Sequence, residues 1–185
     1  MNPIVKCILI IVVSSITSLS AMQKKHTFKQ IETKQSHKPL FFNCFQFQVI
    51  GDITIYKFTL LDNHLSCQEN NEEEGLAAAL VTSEDTESAE LIRLHVVNKD
   101  HRNKGYATIL LKLILDYLAT ETTIDELGLL AEPMDEDTDH IRLREFYIKN
   151  GGQKPSTIEE FAGSDDVFIF PIKRKVVTQS VLAKL

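Results

Sequence analysis

Cysteine is scarce, with three in 185 residues, and no two of them stand at metal-ligand spacing. That excludes a zinc ribbon and a disulfide-built scaffold. Once residues 1–21 are set aside, Cys44 and Cys67 remain. They can form one disulfide if the chain is exported, and are otherwise two buried free thiols. Basic residues are in the minority, and the formal net charge is −6. With no basic face interleaved with aromatics, general nucleic-acid binding is excluded. The cluster Lys173-Arg174-Lys175 then reads as a solvated strand end. Long apolar runs are missing too: the longest near the N-terminus, Cys7 to Val13, is too short to span a bilayer. No internal repeat or low-complexity tract is present.

What remains is an ordinary globular composition, 43% hydrophobic and 25% charged, long enough for one domain with a real core. Residues 1–21 stand apart. Lys6 supplies a positive charge, an apolar run follows, and residues 14–21 are small and polar. That is the layout of a secretory signal peptide cleaved after Ala21. The rival reading makes Met22 the start. The first predicts export, the second a cytoplasmic location. Residues 22–39 are polar and rich in Lys and Gln, and are expected to form a flexible arm. A folded domain is expected over 40–175, with a C-terminal tail over 176–185.

Within that domain, residues 40–61 alternate and are rich in Phe, Ile and Tyr, with Gly51-Asp52 as a break: two strands around a turn. Further strands are predicted over 76–82, 91–97, 126–131 and 167–172. In the strand over 91–97, strict alternation puts Ile92, Leu94 and Val96 on one face, and Leu91, Arg93, His95 and Val97 on the other. Residues 106–119 have a helical stripe of Ile109, Leu110, Leu113, Ile114, Tyr117 and Leu118. Leu143, Phe146, Tyr147 and Asn150 line one face of a shorter helix that stops at Gly151, with Thr138 or Asp139 as its cap.

The stretch Arg102-Asn103-Lys104-Gly105-Tyr106-Ala107 joins the strand over 91–97 to the first helix. Such a strand–turn–helix junction points backbone N–H groups outward at a helix N-terminus, where they can bind phosphate. Gly105 lacks the Cβ that would keep a pyrophosphate off the backbone, and Ala107 is small. Downstream comes Leu143-Arg144-Glu145-Phe146-Tyr147-Ile148-Lys149-Asn150-Gly151, a helix ending F-Y-x-x-x-G. These two motifs, in this order and at this separation, resemble the GNAT superfamily of N-acetyltransferases. The resemblance covers residues 76–173 and is strongest over 90–151.

That resemblance implies an α+β fold: a mixed, mostly antiparallel twisted sheet, splayed at the acyl-CoA site and flanked by helices. It implies acetyl-CoA as acyl donor, no metal, and direct transfer to an amine in a ternary complex, since no cysteine sits by the motifs as a covalent relay. The donor's pantetheine arm would pair with the backbone of Val96 and Val97. Its pyrophosphate would meet the N–H groups of Arg102, Asn103, Lys104, Gly105, Tyr106 and Ala107. Tyr147 matches the tyrosine that protonates or stabilises the leaving thiolate. Glu90 stands near the position of a catalytic base, but one residue out of register; a one-residue bulge or a longer loop would restore its face. Glu132 is a second candidate base, and His95 and His140 read as structural.

Two departures from the family pattern stand out. No amphipathic helix occurs between Leu40 and Leu76, so the family's first two helices are expected to be missing. Gly152 stands where most members carry an aromatic, which weakens the packing expected at that turn. Acidic stretches at Glu72 to Glu74, Glu84 to Glu90 and Asp135 to Asp139 would steer a cationic amine. The alternative from a different class is a non-catalytic acyl-CoA-binding or interaction protein that keeps the fold. A third reading, resting on the leader, is a secreted factor acting on host proteins.

Overall fold

The computed structural model describes residues 22–32, 38–48, 53–63, 75–84, 87–133, 139–155 and 166–174. The leader over 1–21, Cys67, Glu72 to Glu74, most of the loop from Asp135 to Asp139, and the tail over 176–185 lie outside them.

Seven strands form one sheet in chain order: β1 Met22–Ile31, β2 Leu40–Gln48, β3 Thr54–Leu61, β4 Ala77–Ser83, β5 Ser88–Val96, β6 Glu126–Leu130 and β7 Val167–Pro171. Every neighbouring pair is antiparallel except β5 and β6. The crossover that a parallel pair requires is helix α1, Tyr106–Glu121. Helix α2, His140–Lys149, lies between β6 and β7 in sequence. This is the mixed, mostly antiparallel α+β class expected from the sequence. Among the described residues no helix lies between β2 and β4. Nor is any helix here long and apolar enough to cross a membrane.

Residues 22–31 were expected to be part of a flexible arm, and they form β1 instead, paired with β2 along its length. Its sequence looks polar because it is an edge strand. Thr27 and Ile31 are half-buried, while Lys25, Lys29 and Gln30 face solvent and blunt the open edge. An ion pair from Lys25 Nζ to Glu121 Oε2 (2.5 Å) ties β1 to the end of α1.

One continuous core forms where α1 packs across β3, β4 and β5. Leu110, Leu111, Ile114 and Leu118 of α1 are fully buried against Phe58, Leu60, Ala77, Ala79 and Val81. Each buried Leu or Phe side chain contributes roughly 2–3 kcal/mol. The helical stripe predicted from sequence omitted Leu111, and it counted Ile109 and Leu113, which are half-buried.

Near the end of α1, Tyr117 meets Tyr56 and Phe58 edge-on and hydrogen-bonds Cys44, a buried free thiol. Burial pushes Cys44 from 9.0 up to about 12, and raises Tyr117 and Tyr56 as well. For groups raised in this way, the neutral form is the one the fold stabilises. Their contribution is complete below the unfolded-state pKa and is lost as pH rises toward the folded value. Each such group loses about 1.4 kcal/mol per pH unit across that window. The urea midpoint should therefore be flat from pH 7 to 9 and fall steeply from pH 10 to 11. A Cys44→Ala variant should lose the earliest part of the fall. A midpoint unchanged to pH 11 would contradict this account.

Candidate acyl-CoA site

The parallel pair β5/β6 is short. Only Ser88↔Glu126, Ala89↔Leu127 and Glu90↔Gly128 are in register, and beyond them the two strands part. β5 stays paired with β4 as far as Val96, so its other edge opens onto a gap. That gap is a cleft of about 490 Å³. Its walls are β5 from Leu91 to Val96, the turn and first residues of α1 (Arg102, Asn103, Gly105 to Thr108), Leu130 and Glu132 after the gap, and the inner face of α2.

Of the two valines expected to offer backbone to a ligand, only Val96 has its backbone groups turned toward the cleft. The Val97 N–H donates to the Leu76 carbonyl at 3.2 Å, so its backbone faces β4. Successive residues of a strand direct their backbone groups to opposite sides. Val96 and Leu94 therefore present theirs to the cleft.

The turn is built in two steps. Asn98 caps a 3₁₀ turn, Lys99–His101, by accepting from the Asp100 N–H at 2.9 Å. The Arg102 N–H is consumed there, donating to the Lys99 carbonyl at 3.1 Å. This removes Arg102 from the expected set of backbone donors, although its side chain still lines the cleft. The chain then takes left-handed conformations at Asn103 (φ 61°) and Gly105 (φ 81°), on either side of Lys104. Such alternation makes a concave nest of N–H groups. Gly105 is the N-cap of α1 and has no side chain to fill that role, and the first turn carries no acidic residue. The first intrahelical bond is from the Ile109 N–H to the Gly105 carbonyl. The N–H groups of Tyr106, Ala107 and Thr108 are thus left for an external acceptor. Thr108 lies beyond the stretch from Arg102 to Ala107 expected from the sequence to supply these donors. The signal was there, since a helix has its free N–H groups through the third residue after its cap.

Across the cleft, Asp139 caps α2 by accepting from the N–H groups of Ile141 (2.8 Å) and Arg142 (3.4 Å). The helix ends on Gly151 (φ 98°), with the Gly152 N–H returning to the Tyr147 carbonyl at 2.9 Å. Arg144 holds Asp166, and His140 lies between the Ala131 carbonyl (3.0 Å) and Asp166 (3.2 Å). Hydrogen bonding from Arg144 holds the Asp166 carboxyl below its usual range. His140 and Arg144 therefore fix α2 against the strand ends.

Tyr147 is the buried residue of α2, 6% exposed, with rings of Phe146, Phe168 and Phe170 around it. Burial pushes its hydroxyl up to about 12. The missing aromatic after Gly151 does not leave a hole. A Cβ on Gly152 would sit 3.0 Å from both Phe170 Cζ and the Tyr147 carbonyl. Phe170 of β7 fills that space, so glycine is the residue that fits.

Glu90 is where the structure corrects the strict alternation read from sequence. Leu80 pairs with Arg93 while Val81 pairs with Leu91, leaving Ile92 as the extra residue of a β-bulge. Ala89 and Leu91 consequently share a face with Leu94 and Val96, over the core. Glu90 falls on the opposite face with Arg93 and His95. It is the last paired residue before the strands separate, at the apex of the splay. It is not part of the cleft wall, which contains Glu132 and Asp139. Among the described residues no cluster of His, Cys, Asp or Glu could hold a metal ion.

No protein-family model matches the sequence, and no curated protein sequence matches it either. Solved structures resemble the chain in fold. A candidate acyl-CoA N-acyltransferase from Klebsiella pneumoniae superposes with a TM-score of 0.47 at 12% identity, over 64% of this chain and 73% of that one. The spermidine N-acetyltransferase of Vibrio cholerae gives 0.41 at 19% identity, over 63% and 64%. The anti-CRISPR protein AcrVA5 gives 0.41 at 20% identity, over 51% and 88%.

Proposed function

We propose that this chain is an N-acetyltransferase that moves an acetyl group from acetyl-CoA directly to an amine. The observation that carries the reading is convergence. An open strand edge at Leu94 and Val96, an uncapped helix N-terminus at Gly105 and the phenol of Tyr147 all border one cleft. The edge suits an extended amide-containing arm, the N-terminus suits a pyrophosphate, and the phenol suits a departing sulfur.

The acidity of Tyr147 defines its part. At about 12 it is a weaker acid than an aliphatic thiol (~8.5). Its hydroxyl therefore stabilises the thiolate by hydrogen bonding, while the proton that neutralises the sulfur comes ultimately from the amine, which must lose one on acylation. Glu132, on the cleft wall, and Glu90, at the apex of the splay, are the two candidate carboxylates to receive it. With Asp139 they make the surroundings of the cleft favourable to a cationic amine.

The position of Glu90 outside the wall favours a second reading, an acyl-CoA-binding protein without turnover. Calorimetry with acetyl-CoA, followed by a thiol-release assay against polyamines, aminoglycosides, amino acids, peptide N-termini and lysine peptides, separates the two. Binding with amine-dependent thiol release is the expected result. Binding without release from any amine would favour the non-catalytic reading, and no binding would remove both.

A further inference from the structure

β1 is the end strand of the sheet, and among the described residues no strand pairs with its outer edge. Alternate residues of β1 therefore turn their backbone N–H and C=O groups away from β2, toward whatever lies beside them. Its composition departs from that of the chain. Met22–Ile31 carries three lysines, one histidine and no acidic residue, whereas the chain has a formal net charge of −6. Its two sides differ as well. Lys25, Thr27 and Lys29 lie on the α1 side, where Lys25 pairs with Glu121 and Thr27 hydrogen-bonds Tyr117. His26 and Phe28 lie on the other side, with ring centroids 4.2 Å from Phe45 and 5.6 Å from Phe41 respectively. Phe28 is nonetheless 38% exposed. Lysines on an edge strand guard against pairing with a second copy, because two such strands side by side bring like charges together. That guard does not act against an acidic strand, and it gives no reason for an exposed phenylalanine among the lysines.

We propose that the outer edge of β1 is a docking site for an extended acidic segment of a partner protein, which adds to the sheet as a further strand. The backbone ladder holds the segment in place. Acidic side chains on its α1 side pair with Lys25 and Lys29, and apolar or aromatic side chains on its other side cover His26 and Phe28. The Lys25–Glu121 pair is largely exposed, so it is weak enough to exchange for the new partner. Three strands separate β1 from β5 and the cleft, so this inference stands apart from the acyl-CoA reading.

The test is titration of the full chain with a synthetic peptide in which Glu alternates with Val and Phe, read by fluorescence anisotropy and by NMR amide exchange. A peptide of the same composition in scrambled order, and one with Lys in place of Glu, are the controls. The alternating acidic peptide should bind at least about tenfold more tightly than either control, and the added amide protection should be confined to β1. Lys25→Glu/Lys29→Glu should reverse the preference, taking the lysine peptide and releasing the acidic one. If loss of the Lys25–Glu121 pair loosens β1 in a thermal melt, Lys29→Glu alone carries the test and should weaken acidic-peptide binding about threefold. Equal binding of the scrambled peptide would reduce the edge to a general attraction between charges and overturn the proposal. So would absence of binding, or protection that falls away from β1. A dimer joined through β1 in ultracentrifugation would make a second copy the occupant, and would overturn it too.

Discussion

Gly105→Glu is expected to weaken acetyl-CoA binding by about a hundredfold or more, with the fold retained. Gly105 has φ 81° and is the N-cap of α1 with no side-chain cap. A glutamate there places a carboxylate where the pyrophosphate would sit. It repels that charge and can itself accept from the N–H groups of Tyr106 to Thr108. The left-handed backbone costs a side chain about 1–2 kcal/mol, which lowers stability but does not unfold a domain of this core. Gly105→Asn separates the two effects, because asparagine tolerates φ > 0 and is a good N-cap. It should leave the melting temperature close to that of the wild type, yet reduce affinity about tenfold by occupying the same N–H groups. Calorimetry and thermal melts on the two variants check this. Wild-type affinity in both would mean that the phosphates bind elsewhere.

The residues that announced this site in the sequence are those whose signal is local. Gly105 between a strand and a helix, and Phe146-Tyr147 four to five residues before Gly151, are patterns that one or two turns of chain determine. The strands that alternate cleanly, β2 and β3, were legible for the same reason. The bulge at Ile92 was not, because it depends on how Leu80 and Val81 of β4 pair with β5. A period-2 reading carried back from Leu94 assigns Leu91 and Glu90 to the wrong faces. The splay was equally hidden: nothing within β5 or β6 says that pairing stops after Glu90 and Gly128. β1 was missed because an edge strand with one solvated face has little apolar alternation to show. Gly152 was read as a defect because its partner, Phe170, is contributed by β7. These four features are long-range, and two of them, the bulge and the splay, shape the cleft.

Tyr147→Phe should lower kcat at least about tenfold while leaving acetyl-CoA affinity within about twofold of wild type. A positioned acid typically contributes 10²–10⁴-fold, and a phenol that stabilises sulfur without full proton transfer belongs at the lower end. The substitution removes only the hydroxyl. Rings of Phe146, Phe168 and Phe170 surround the residue, and burial is what raises its pKa to about 12. A phenylalanine therefore packs in the same place, and the melting temperature should hold or rise slightly. That makes a loss of turnover attributable to chemistry. The pH profile supplies a second check. With its pKa at about 12, Tyr147 stays protonated through the working range, so the wild-type kcat should show no basic limb from this residue below pH 10. A limb near pH 8–9 that disappears in Tyr147→Phe would mean that the hydroxyl is far more acidic than its burial allows. An unchanged kcat with the cognate amine would leave Tyr147 as a packing residue, and the departing sulfur would then have to be met by some other group bordering the cleft.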